Sequence, residues 1–267
     1  MPRIRTYGLD IDTIRYAQRV KSGSGTTILP EPLKQINKFV VGVKKLGLWN
    51  SMVCWPMRSI HNAGTGSTVY SLGGLQISNG TMVNSPVWGD KGIKFGDNSN
   101  RHMTTGITPA LNSNYNVFAA MECLPQGVAF NVMGSTRNGT TGGFTMAQFW
   151  NSAWNNIAWV SSGTWAENRI TPPITDGTYN TASFRVNCTP THVTGLSINS
   201  NVEQTITGTG VVQIAHSPMI IGNEGPTSTR SFDGNLAFTS YIVTSTIPVT
   251  FLHTLYKRSL GLGLNIP

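Results

Sequence analysis

From about residue 60 to the end, the chain is punctuated by turn signals at intervals of about 8–12 residues. They are Gly64-Thr65-Gly66, Gly73-Gly74, Asn79-Gly80, Gly89-Asp90, Asn138-Gly139, Gly142-Gly143, Asp176-Gly177 and Asp233-Gly234. Between them lie short runs rich in β-branched and aromatic residues: Tyr115–Met121, Gly143–Trp150, Thr181–Val186, Gly210–Ile214, Met219–Ile221 and Asn235–Val243. Runs this short cannot be core helices, and none alternates with a helical pattern as an α/β fold requires. The spacing predicts an all-β antiparallel sandwich or barrel. Composition agrees: charged residues are 11% of the 267, against about 25% in ordinary soluble domains. Ser, Thr and Asn fill the gap with 78 residues. That balance excludes a charged coiled coil or a charge-driven disordered chain.

The first 60 residues read differently. Leu9, Ile11, Ile14, Ala17 and Val20 approximate a helical stripe over 9–22, with Asp10 and Asp12 at its start and Arg19 and Lys21 at its end, which suits the helix dipole. A second helix is predicted over 31–46, with Pro30 and Pro32 at its entry, Leu33, Ile36, Phe39, Val40 and Val43 on one face, and Gly47 to end it. Leu48-Trp49 and Val53-Cys54-Trp55-Pro56 follow as an apolar plug. A closing helix is predicted over 248–259, with Phe251, Leu252, Leu255 and Tyr256 on one face. The expected division is a basic helical N-terminal arm, 1–60, and a β domain, 61–267.

Charge follows this division. Residues 1–60 carry ten Lys/Arg against three acids, leaving +7, whereas the other residues carry nine against eight, leaving +1. A nucleic-acid-binding domain more often concentrates its charge around a binding face of the fold. Here the basic segment fits docking on an acidic protein surface, through Arg3, Arg5, Arg15, Arg19, Lys34, Lys38, Lys44 and Lys45. Nucleic acid is the second choice, and a solvated basic face without a partner is the plain alternative.

No segment reaches the 18 or so consecutive apolar residues of a membrane span, and the basic start is not followed by a signal-peptide pattern. Cys54, Cys123 and Cys188 form no CxxC pair and read as buried thiols. The sequons at Asn79, Asn138 and Asn187 are what a chain rich in Asn and Thr produces by chance.

Several strings in order give a resemblance. Gly92-Ile-Lys-Phe-Gly96, Tyr115–Met121, Val193-Thr-Gly-Leu-Ser-Ile-Asn199, Pro218-Met-Ile-Ile-Gly-Asn223, Ser231-Phe-Asp-Gly-Asn-Leu-Ala-Phe238 and the helix before Leu260-Gly-Leu-Gly follow the sequence of the concanavalin A-like, laminin-G-like jelly-roll superfamily. The resemblance covers roughly 70–267 and implies a jelly-roll sandwich. Phe232 is expected between the sheets and Gly234 at a tight reversal, so Asp233 reads as structural. The helix pair followed by Lys44-Lys-Leu-Gly-Leu-Trp49 and a jelly roll also resembles an arrangement of phage and large-virus structural proteins.

Glycoside hydrolases of that superfamily place two carboxylates across the scissile bond. The glutamates here, Glu31, Glu122, Glu167, Glu203 and Glu224, are isolated in sequence, and Glu122 with Glu167 is the only pairing singled out. The histidines show no HExxH or i,i+4 pair, and neither GxSxG nor a phosphate-binding GxxxxGK[ST] occurs. No catalytic residue, metal or cofactor is therefore expected. Asp97-Asn98-Ser99-Asn100 offers oxygens to calcium but is equally an exposed turn. Trp150, Trp154, Trp159 and Trp165, interleaved with Asn155 and other asparagines, suit sugar, since indoles stack on pyranose faces and amides bond hydroxyls. Filling a core or a subunit contact is the competing role. These readings converge on a non-enzymatic virion structural protein that is capsid-decorating, head-fibre or tail-associated. Other virion proteins, a homo-oligomer and host-surface glycan are the expected partners. A free lectin or glycoside hydrolase is the alternative.

Overall fold

The first helix, α1 (Ile11–Ser24), begins where the Asp10 side chain accepts the amide of Asp12 at 2.9 Å and ends where Gly25 turns left-handed. It runs past the expected end at residue 22 through Gly23. Gly23 stays helical and lets the Tyr70 hydroxyl approach; a Cβ there would collide with it. Its buried side is Thr13, Tyr16, Ala17 and Val20, which corrects the expected stripe: Ile11 is 53% exposed. The second helix, α2 (Pro30–Lys45), buries Leu33, Ile36, Phe39, Val40 and Val43 as the periodicity predicts. Its end is a Schellman turn, with Gly47 N–H on the Lys44 carbonyl and Leu48 N–H on that of Val43. The third, α3 (Val249–Lys257), buries Leu252, His253 and Tyr256; Phe251, expected beside them, is 67% exposed.

The strands are β1 (Met52–Pro56), β2 (Thr68–Val69), β3 (Gly80–Val83), β4 (Val87–Gly89), β5 (Gly92–Lys94), β6 (His102–Thr104), β7 (Tyr115–Cys123), β8 (Gly134–Ser135), β9 (Phe144–Trp150), β10 (Ala153–Ser161), β11 (Thr164–Ile170), β12 (Asn180–Asn187), β13 (His192–Ile198), β14 (Gln204–Gly208), β15 (Ile220–Ile221) and β16 (Gly234–Ile242). This computed structural model describes residues 8–96, 100–110, 113–123, 134–135, 144–150, 153–161, 164–170, 178–187, 192–199, 201–208, 218–223 and 232–267, with β8 to β11 described as backbone. Arg3, Arg5, Cys188, the run 210–214 and turn residues 97–99 lie outside the described residues.

Every described pairing is antiparallel, and the strands form two sheets. The first runs β14-β13-β12-β7-β16-β5-β4, and the second runs β11-β10-β9-β8-β15-β6-β3-β2. β16 has β7 along one flank. Its other flank is shared: β5 pairs at Asn235–Leu236, and β1 pairs from Phe238 to Ile242. The fold is an antiparallel jelly-roll β-sandwich.

At the middle of the first sheet, β7 and β16 are buried on both faces. Tyr115, Val117, Ala119 and Met121 of β7 point into the core between the sheets with Trp55, Phe95, Phe184 and Phe232. Phe118 and Ala120 point the other way, into a second core formed with Tyr16, Ile36, Phe39, Phe238, Leu252 and Tyr256. A strand buried on both sides reads as a continuous apolar run, as Val117–Met121 does. Residues 8–60, expected as an arm ahead of the sandwich, thus supply its helical third layer and strand β1. Phe232 fills the inter-sheet core as expected. At Gly234 φ is +154°, and a Cβ would strike the Glu122 carbonyl oxygen across the ladder.

Candidate functional site

On α2, Lys34, Lys38 and Lys45 are exposed. At 100° per residue they fall within about 40° of one another, opposite the buried Ile36, Phe39 and Val43, along about 16 Å of helix. Lys34 meets the exposed Glu31 at 2.6 Å, and Arg15 of α1 stands 3.6 Å from Asp12. Surface pairs of this kind hold their cations only weakly.

Two other candidate docking cations are engaged inside the protein. The Lys44 ammonium lies 2.7 Å from Asp10 Oδ1 and 2.7 Å from Asp12 Oδ2, and 5.2 Å from the centroid of the Trp49 ring. Burial opposes its charge, but the hydrogen bonds to Asp10 and Asp12 outweigh that and hold its pKa above the ordinary lysine value. Burial likewise raises the Asp10 pKa, and the Lys44 and Asp12 hydrogen bonds bring it below the usual carboxylate range. Arg19 donates to the Ser71 carbonyl at 2.7 Å and lies over Tyr16. A cavity of about 400 Å³ opens beside Lys44, lined by Asp12, Gly47, Trp49 and Asn50. Sequence reading missed it because its parts come from the start of α1 and the end of α2.

The second sheet forms the opposite broad side of the sandwich. Thr68 pairs with Thr81, Thr81 with Thr104, and Thr104 with Ile220, while the alternate Met82, Met103 and Ile221 enter the inter-sheet core. The threonines therefore line the outer side, where Thr81 is exposed and Thr68 and Thr104 partly so. The same sheet continues through β9, β10 and β11, which carry the candidate sugar-binding residues. Trp150 pairs with Ala153, and Trp154 stands between Phe149 and Ile170. Asn155 lies between Gln148 and Arg169, and Trp159 pairs with Trp165. Residues chosen by composition are thus gathered on three adjoining strands at one edge of the sheet.

Glu122 lies on β7 of the first sheet and Glu167 on β11 of the second. Glu122 is buried and accepts the Asn235 amide at 2.7 Å. Three histidines are held by protein partners, His102 with its Nδ1 3.0 Å from the Asn100 carbonyl oxygen. His61 Nε2 meets Gln35 Oε1 at 2.7 Å, and His253 Nδ1 meets Thr181 Oγ1 at 2.6 Å. Burial, helped by the charge of Arg58, pushes the His61 pKa down to about 3. Burial, with Lys257 next, also lowers that of His253. Cys54 is a buried thiol whose pKa burial raises. Among the described residues no group of three His, Cys, Asp or Glu is placed to hold a metal, and no helix is long and apolar enough to cross a membrane.

The architecture defines a class, the jelly-roll β-sandwiches with a lectin-like fold. Among solved structures, the chain is similar to the binding domain of botulinum neurotoxin serotype D, with a TM-score of 0.56 and 7% identity over 78% of this chain and 52% of that one. It is similar to a type C botulinum neurotoxin structure, whose cell entry depends on interaction with two ganglioside molecules, at 0.54 and 8% over 77% of this chain and 51% of that one. The sialidase CBM40 of Ruminococcus gnavus, bound to α2,3-sialyllactose, aligns at 0.47 and 11% over 62% and 96%. The chain spans about half the length of the neurotoxin chains it matches. No family model matches the sequence, and no curated protein sequence does.

Proposed function

We propose that this chain is a non-enzymatic virion structural protein (capsid-decorating, head-fibre or tail-associated) that docks through its helical layer and displays a lectin-like jelly roll to host-surface glycan. One observation carries the reading. The exposed Lys34, Lys38 and Lys45 stripe lies on the outer helical layer, and the hydroxyl-lined sheet bearing the Trp150–Trp165 strands forms the opposite side of the sandwich. A displayed adhesin needs such a division, with a cationic side for an acidic capsid or tail surface and a plain polar side for solvent and receptor. Virion localisation, assembly in the host cytoplasm and a homo-oligomer of cyclic symmetry belong to the same reading. The ganglioside dependence of the type C neurotoxin, which has this kind of sandwich, supports the glycan part.

The test is quantitative mass spectrometry of purified particles from the source. Hundreds of copies per particle mean a shell component, and a few tens or fewer mean a fibre or receptor-binding device. Absence from particles would discard the virion reading in favour of a free lectin or glycoside hydrolase. Release of reducing sugar from β-glucan separates those two. Replacing Trp154 and Trp159 by Ala abolishes glycan binding without unfolding if the tryptophan strands are the receptor site. Affinity for nucleic acid that falls steeply with salt would instead favour the second-choice partner.

A further inference from the structure

At the β12 edge of the helical cover, a cavity of about 300 Å³ opens between the turn at Asn201–Glu203 and the segment that leads into α3. Its floor is Arg185, the outward residue between the inward Phe184 and Val186. Arg185 Nε and Nη2 donate to Glu203 Oε1 and Oε2 at 2.9 and 2.7 Å, and the two side chains are 13% and 28% exposed. The pair lies across β13 at Gly195, the register partner of Arg185, where a Cβ would collide with Glu203 Oε1. A bidentate pair in a partly dry site is rigid and close to neutral. Each Glu203 oxygen takes one of these hydrogen bonds and keeps a second lone pair for another donor. Thr246 and Thr250 bring hydroxyls to the rim and Asn201 an amide, all exposed. Beside them, Val202 is 90% exposed and Ile247 continues the apolar wall.

We propose that this cavity binds one pyranose unit of a neutral glycan. Sugar hydroxyls donate to Glu203 and exchange hydrogen bonds with Asn201, Thr246 and Thr250. The C–H face of the ring rests on Val202 and Ile247. Glu203 neutralises Arg185, so a carboxylated sugar gains no net attraction there. The site rests on the glycan-display reading and adds to it a contact on the first sheet, apart from the tryptophan strands of the second.

Ligand-observed NMR on the full chain tests this with neutral trisaccharides of glucose, galactose and mannose, and with sialyllactose as the charged control. The variants are Thr250→Trp, which fills the cavity from an exposed helical position without removing a hydrogen bond within the protein given above, Glu203→Gln, and Trp154→Ala with Trp159→Ala. The expected result is binding of a neutral trisaccharide that Thr250→Trp abolishes, that Glu203→Gln weakens about tenfold to a hundredfold, and that the double tryptophan variant retains. Binding that survives Thr250→Trp but is lost in the tryptophan variant overturns the cavity and leaves the display reading standing. Binding of sialyllactose alone overturns the neutral class. If wild-type protein binds none of the probes, the cavity and the glycan half of the display reading both fall.

Discussion

The ring of Phe39 on α2 meets the ring of Phe238 on β16 edge-on, with centroids 5.2 Å apart and planes inclined at 70°. Tyr256 of α3 closes on the same Phe238 ring, also at 5.2 Å, and Phe118 of β7 lies 6.2 Å away. One side chain therefore joins both ends of the chain to the middle of the first sheet. Phe238→Ala removes all three contacts, and core truncations of this kind cost about 3–5 kcal/mol. A urea unfolding curve with a much lower midpoint is expected. A loss under about 1 kcal/mol would mean that the helical layer is held mainly elsewhere.

Arg58 is buried, and its guanidinium holds backbone. Nε donates to the Asp90 carbonyl at 2.7 Å, and Nη1 donates to those of Leu260 and Leu262 at 2.8 Å each. Arg58→Met keeps the apolar stem and strands these acceptors, each costing about 1–3 kcal/mol when left dry. Destabilisation of about 3 kcal/mol is expected, together with faster proteolysis after residue 257. Unchanged protease resistance of that tail would contradict the clasp.

His61 makes stability depend on pH. Its folded pKa, about 3, lies below the ordinary value of 6.5, so between these pH values the unfolded chain binds the extra proton. Stability is then full above pH 6.5 and falls as pH drops toward 3, by up to about 1.4 kcal/mol per pH unit. Asp10, whose pKa is lowered below 3.8, acts only at more acid pH, whereas His253, also lowered by burial, acts in the same window, so the change between pH 7 and 4.5 reports both histidines and the variant isolates the His61 share. His61→Gln should flatten the decline. An equally steep decline in the variant would assign it to other groups.

The Lys34, Lys38 and Lys45 stripe separates docking from folding. Reversing all three to Glu touches no buried contact, so the unfolding midpoint should move by about 1 kcal/mol or less. Particle association should be lost. Lys44→Ala is the contrasting change, because it leaves Asp10 and Asp12 beside each other without their cation. It should destabilise more than the triple reversal. The opposite ranking would put the docking charge at Lys44.

Much of the fold was legible because its signals are local. The buried face of α2 follows from its 3.6-residue period, and the turns follow from Gly, Asn and Asp. The third layer was harder to read, because its partners are far apart in sequence. Trp55 reads as part of an apolar plug until β1 is paired with β16; then Val53 and Trp55 face the inter-sheet core, and Met52 and Cys54 face the helices. Ile11 and Phe251 misled because a propensity stripe does not say which neighbours will arrive. The tryptophan strands were visible by composition, since their residues fall close together. The Arg185–Glu203 pair was not, because it joins residues 18 apart through strand register over a glycine.

The shared flank of β16 has a consequence for biosynthesis. α1, α2 and β1 leave the ribosome well before the strand that β1 pairs with and before the Phe238 ring beneath α2. That earlier segment is therefore fully secured only when β16 arrives, and until then the apolar stripe of α2 lacks the Phe238 ring. Chains released before β16 carry that stripe uncovered, a condition that favours aggregation. Soluble yield should then be governed by how reliably translation continues through β16.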